Sequence, residues 1–165
     1  MKKLVTLSLF LCLVFVGQAY SSAGLELKDP TRGVKFTAPN GLWSVNAGKY
    51  SISLTHQTHY DANVTLKKSY QTVASAADAY ANRKKSLKSY LPGAVFMKEN
   101  EAVTIGAITG QSMTYKNPSD LKVIREIMFI HNGLTYELVF KSKEENLPKV
   151  QADFTAILGS MELFK

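Results

Sequence analysis

The stretch REIMFIHNGLTYELVFKS, Arg125 to Ser142, decides the fold. Asn132-Gly133 is the dipeptide favoured in tight type I′ turns, where both central residues take positive φ, so it joins two antiparallel strands. Ile127 to Ile130 and Leu138 to Phe140 are apolar at every position. A strand with one face in water would alternate, so these two are expected to be covered on both faces.

Two amphipathic helices are available to cover them. Upstream, Ser75 makes a good N-cap, and the Asp78 carboxylate three residues on suits the positive end of the helix dipole. Ala77, Tyr80, Leu87 and Leu91 form one stripe with Lys84 as its polar interruption, and Pro92-Gly93 stops the helix. Downstream, Leu147, Val150, Phe154, Ile157, Leu158 and Met161 recur at helical spacing, with Pro148 near the start and Gly159 after the end. One helix on each face gives three layers. The expected fold class is α+β, an antiparallel β-sheet sandwiched between helices, with Phe154 deep in the core.

The remaining segments supply strands. LELK (Leu25 to Lys28) and GVKFTA (Gly33 to Ala38) alternate around the turn residues DPTRG and read as a pair. Pro39-Asn40-Gly41 turns the chain ahead of Trp43. In KYSISLTH, Tyr50, Ile52 and Leu54 share one side, and ANVTL (Ala62 to Leu66) pairs back across HQTHYD. AVFMK and AVTIGAITG through QSMTY precede the opening hairpin, and MELF is a short closing strand. Gly106 and Gly110 lie in strand-like sequence, where glycine marks a bulge or a close backbone approach. Tyrosines at 50, 60, 70, 80 and 90 have dissimilar flanks and form no repeat.

The chain opens MKKLVTLSLFLCLVFVGQAYSSAG. A basic start, an apolar run from Leu4 to Val16 and small residues at Gly17, Ala19, Ser21 and Ala23 are the layout of a secretory signal peptide. It is expected over residues 1–19, with cleavage after Ala19 or as late as Ala23. The alternative, a membrane anchor, needs roughly 20 apolar residues, and this run is shorter. Cys12, the one cysteine, lies in mid-run after Leu11, where it does not suit lipidation. The mature chain would have no disulfide, thiolate cage or cysteine nucleophile. Residues 24–165 read as one domain, without linker or charge block. The expected location is outside the cytoplasm, periplasmic or extracellular. Loss of Lys2 and Lys3 takes the formal charge from +7 to +5, which allows contact with anionic surfaces.

SISLTHQTHYD, Ser51 to Asp61, holds the candidates for metal chemistry: His56, His59 and Asp61. If Ile52, Leu54 and His56 continue one strand face, His59 points to the other. A shared ion needs both ring nitrogens about 2.0–2.1 Å from one point, so only a loop between Thr55 and Asp61 would unite them. Hydrated hairpin histidines are the simpler reading, and no metal or other cofactor is expected. His131 stands apart beside its turn. Gly110-Gln111-Ser112 lacks the second glycine and the strand-to-helix turn of a nucleophile elbow. Glu99/Glu101, flanking a turn, and Glu144/Glu145, preceding a helix, are ordinary places for acids. No catalytic residue is therefore assigned. Lys67, Lys68, Arg83, Lys84, Lys85 and Lys88 form the densest basic set. Lys84 and Lys88 share a helix face while Lys85 does not, which suits a solvated surface. Without a stacking platform, nucleic acid is not an expected partner.

Taken together, GVKFTAPNGLWSV, ANVTL, ASAADAYANRKKSL, AVTIGAITGQSMTY, REIMFIHNGLTYELVFKS and ADFTAILGSMEL resemble the PsbP-like superfamily, which includes PsbP and the DcrB-like and LpqN-like envelope proteins. The likeness spans Gly33 to Leu163. Leu42 stands between Gly41 and Trp43, where that family usually has Gly-Trp adjacent. The resemblance implies an antiparallel sheet between helices and an accessory, assembly or binding role. None of the metal- or partner-binding residues of PsbP finds a match here. The expected function is a non-enzymatic exported domain that binds a protein or envelope component. A small-ligand or metal carrier is the alternative, and a hydrolase follows behind.

Overall fold

A computed structural model describes residues 24–69 and 72–165; the expected leader lies outside them. The strands are β1 (Leu25–Asp29), β2 (Val34–Ala38), β3 (Trp43–Ala47), β4 (Ser51–His56), β5 (Asn63–Lys68), β6 (Val95–Ile105), β7 (Ile108–Asn117), β8 (Lys122–His131), β9 (Leu134–Lys143) and β10 (Glu162–Leu163). The helices are α1 (Ala76–Tyr90), between β5 and β6, and α2 (Leu147–Gly159), between β9 and β10.

Seven strands form one antiparallel sheet in the order β3-β4-β5-β9-β8-β7-β6. Its middle is the hairpin of β8 and β9, and Asn132 and Gly133 have φ of 49° and 71°, as the type I′ reading requires. β1, β2 and β10 form a separate three-stranded sheet with β2 inside.

Alternation on β8 sends Ile127 and Phe129 into the main core and Met128 into a second cluster on the opposite face. The main core gathers Val34 and Phe36 of the small sheet, Ile52, Leu54, Val64 and Leu66 of the large one, and Val150, Phe154 and Ile157 of α2. The second cluster joins Ala79, Tyr80 and Leu87 of α1 to Met113, Tyr115 and Met128. The α+β sandwich expected from sequence is therefore present, with the small sheet sharing the α2 layer. Buried Arg32 ties that sheet in: it pairs with Asp29, and its NH2 donates to the Gly48 carbonyl at 2.6 Å.

Several local expectations change. The α1 stripe contains Ala79 in place of exposed Ala77, and it includes Arg83, which is drawn inward by a carboxylate described below. AVFMK and AVTI are one strand with register shifts between Phe96 and Glu101. Glu99 and Glu101 thus flank a bulge centred on Asn100 (φ 55°) rather than a turn. Gly159 is the last residue of α2 and does not follow it. β3 was not foreseen. A Cβ on Gly110 would stand 2.8 Å from the Met128 carbonyl oxygen, so this glycine does mark a close backbone approach.

Phe154 is 5% exposed, with its ring 5.3 Å from that of Phe140 and 6.1 Å from that of Trp43. Phe154→Ala is expected to cost roughly 3–5 kcal/mol, a large part of a typical stability of about 5–15 kcal/mol. Urea denaturation followed by circular dichroism measures this, and an unchanged midpoint would mean that α2 is not docked as described.

Candidate functional site

The loop 57–62 turns the chain so that His59 comes back over His56. Their ring centroids are 5.1 Å apart, so the opposite-face placement expected for an unbroken strand does not hold. Adjacency does not make them a ligand pair. His56 Nδ1 accepts the backbone N–H groups of Thr58 and His59 at 3.1 and 3.0 Å, so the neutral ring carries its proton on Nε2. Nε2 stands 3.9 Å from Asp153 Oδ2 on α2. That same oxygen accepts the Trp43 indole N–H at 2.9 Å, and Trp43 meets His56 edge-on at 5.0 Å.

Asp61 is turned elsewhere. It accepts the Ser142 hydroxyl at 3.0 Å, the Lys143 N–H at 2.6 Å and the Asn146 amide at 2.9 Å, fastening the end of β9 and the start of α2. Burial alone would raise its pKa, but these donors outweigh that and hold it below the ordinary carboxylate value. Among the described residues no three of His, Cys, Asp and Glu gather where an ion would sit. His131 Nε2 is 2.9 Å from the Phe164 carbonyl oxygen and serves the chain end. Ser112 Oγ is buried with no hydrogen-bond partner among the described residues.

The most elaborate polar arrangement was not foreseen. Glu126 on β8 is 1% exposed and faces α1. Arg83 Nε and NH2 donate to its two oxygens at 2.6 and 2.7 Å, and the Tyr115 hydroxyl donates at 2.7 Å. Glu137 on β9 lies 3.5 Å from Arg83 NH2. Its pKa is raised by burial and by the Glu126 charge, with Arg83 and Lys67 opposing. Burial and Glu126 also push the Tyr115 phenol up. Arg83 thus leaves the solvated basic face to which sequence assigned it. Lys84 pairs with Glu99, and Lys84 and Lys88 lie over the Phe96 ring. A groove of about 730 Å³ runs above this network, lined by Arg83, Glu137, Asn82, Thr135 and their neighbours.

The opposite face carries the mirror of Glu126. Its neighbour Arg125 points toward α2 and lines a cleft of about 430 Å³ between α2 and the sheet. Phe140, Leu147, Phe154 and Leu158 supply apolar walls, and Thr114, Gln151 and the Lys98–Glu101 pair supply polar ones. Arg125 makes no hydrogen bond or ion pair among the described residues, and its Nε is shielded from solvent. The signal for both residues was in the sequence. Two charges side by side in a strand apolar on both faces must enter different layers.

Removing one partner of a buried pair costs about 3–5 kcal/mol because the other charge is stranded, whereas replacing both is close to neutral. Arg83→Met should destabilise by that amount in urea titrations, and the added Glu126→Met should restore most of the loss. Burial, then the nearby His59, lowers the His56 pKa against the opposing pull of Asp153 and Asp61. Its stabilising contribution is therefore complete above the unfolded value near pH 6.5 and is lost as pH falls through the lower folded value. Side-chain NMR should find His56 titrating below 6.5; a midpoint above it would mean that Asp153 dominates.

No protein-family model matches the chain, and no curated protein does. Solved structures do. PsbP (CyanoP) of Synechocystis superimposes with a TM-score of 0.65 at 16% identity, over 92% of this chain and 99% of that one. LpqN of Mycobacterium tuberculosis, involved in cell envelope biogenesis, gives 0.58 at 14% identity over 86% and 91%. The Ran-binding protein Mog1p of Saccharomyces cerevisiae gives 0.56 at 9% identity over 85% and 95%. At such identities the likeness lies in the course of the backbone, and on that ground the chain has the PsbP-like fold.

Proposed function

We propose that this chain is an exported, non-catalytic binding domain of the bacterial cell envelope, acting on a protein or another envelope component. The observation that carries the reading is a contrast in how polar groups are used. His56, His131, Asp61 and Glu126 are each engaged in internal bonds that hold elements together. The cleft beneath α2, by contrast, combines apolar walls with an uncompensated cation. That is the composition of a binding surface, concave and mostly apolar with few convergent polar groups.

Location and partner type are supported from other directions. The leader-like start supports export. Among chains of the same fold, LpqN is involved in cell envelope biogenesis and Mog1p binds Ran, so the architecture is compatible with work at an envelope and with holding a protein. The described residues include no helix long and apolar enough to cross a membrane. A second reading, a carrier of a small ligand, is favoured by the enclosure of the cleft between helix and sheet.

The test is a photocrosslinking residue at Met97 or at Thr155, both on the cleft lining, with one at Ser44 on the distant edge strand as control. Irradiation of intact cells that make the protein should give a discrete adduct from the cleft positions and none from Ser44. Equal labelling at all three positions, together with turnover on a hydrolase substrate panel, would overturn the proposal.

A further inference from the structure

Arg125 and Glu126 are neighbours on β8 and meet opposite layers. On the α1 side the fold surrounds Glu126 with a guanidinium and a phenol. On the α2 side Arg125 receives nothing of the kind. A guanidinium is charged at any accessible pH and offers only donors. Its Nε is buried without a partner, and leaving that donor unmet costs free energy that nothing among the described residues offsets.

The walls specify what would offset it. Lys98 and Glu101 lie 3.4 Å apart and neutralise each other, so the cleft carries one uncompensated positive charge and calls for one negative charge. A planar fork of N–H donors matches a carboxylate through two parallel hydrogen bonds. Beyond the head group, Phe140, Leu147, Phe154 and Leu158 line a path suited to an unbranched apolar tail. The volume, about 430 Å³, falls in the range of about 300–1,000 Å³ usual for small-molecule sites. It suits one chain better than the two of a phospholipid.

We propose that the cleft between α2 and the sheet binds a monoanionic amphiphile, a free medium-chain carboxylate held by Arg125 with its tail along α2. This rests on the reading of the domain as a binding module and names the ligand class of its cleft.

Calorimetry of the mature chain with decanoate, below its micelle concentration, tests this directly. One molecule should bind per chain. Decanol, with the same tail and no charge, should bind roughly tenfold more weakly or worse, the factor that a charge-assisted hydrogen bond is worth. Arg125→Gln should lose a similar factor while melting no lower than the parent, and Glu101→Gln should bind more tightly because a repelling carboxylate has gone. Thr155→Trp, at an exposed position of α2 that narrows the cleft, should abolish binding without touching Arg125, which keeps the test sound if the arginine variant does not fold. Absence of decanoate binding, equal affinity for decanol, or full affinity in Arg125→Gln would each overturn the proposal. Binding only to phosphatidylglycerol vesicles would overturn it too, in favour of surface adsorption. Failure here alongside a persistent crosslink from Met97 or Thr155 would leave the broader reading standing without this ligand.

Discussion

Strand β8 runs through the middle of the large sheet with protein packed on both of its faces, and this constraint governs the rest of the molecule. Side chains along a strand alternate, so every residue of β8 is committed to one layer or the other. Ile127 and Phe129 go to the α2 layer and Met128 to the α1 layer. The two charged residues obey the same rule, Glu126 fully buried on one face and Arg125 partly buried on the other. Glu126 is answered from α1, and the position of Arg83 on that helix follows from it. Arg125 meets a layer whose nearby acid, Glu101, is already paired with Lys98, and it lines the cleft without a partner of its own among the described residues.

The large elements were legible because they depend on local periodicity. The Asn132-Gly133 hairpin, both amphipathic helices, the Ser75 cap and the pairing of LELK with GVKFTA all come from spacings of two to four residues and from turn chemistry. What escaped depends on partners distant in sequence. The three-stranded sheet exists because β10 returns, more than a hundred residues later, to the free edge of β2. The α1 stripe is rotated toward Arg83 because Glu126 lies opposite it. In β6 the run Lys98 to Glu101 looks like a break, yet Asn100 takes up the extra length as a bulge and the strand continues. A bulge of this sort on an edge strand also hinders pairing with a second copy, which matters where Val95 and Met97 are more than half exposed.

The candidate site was legible in part and for the same reason. Two histidines near an aspartate suggested a shared ligand set, and the loop does bring the imidazoles together. Spacing could not reveal that His56 Nδ1 would be taken by the backbone of its own loop, or that Asp61 would reach across to Ser142 and Asn146. Those are decisions of tertiary hydrogen bonding, where a buried acceptor takes the nearest N–H. The Arg125-Glu126 dipeptide held the stronger clue, visible once both-face burial of its strand is accepted.

The joint between Trp43 and Asp153 has one more consequence. The chain contains a single tryptophan, and its indole is fixed between the edge of the large sheet and the last helix. All indole emission from the molecule therefore originates at the seam where α2 seats. Wetting of that ring shifts its emission toward the red, so detachment of the helix can be watched optically, without label or substitution, when excitation is confined to the long-wavelength edge of indole absorption, where tyrosines do not respond.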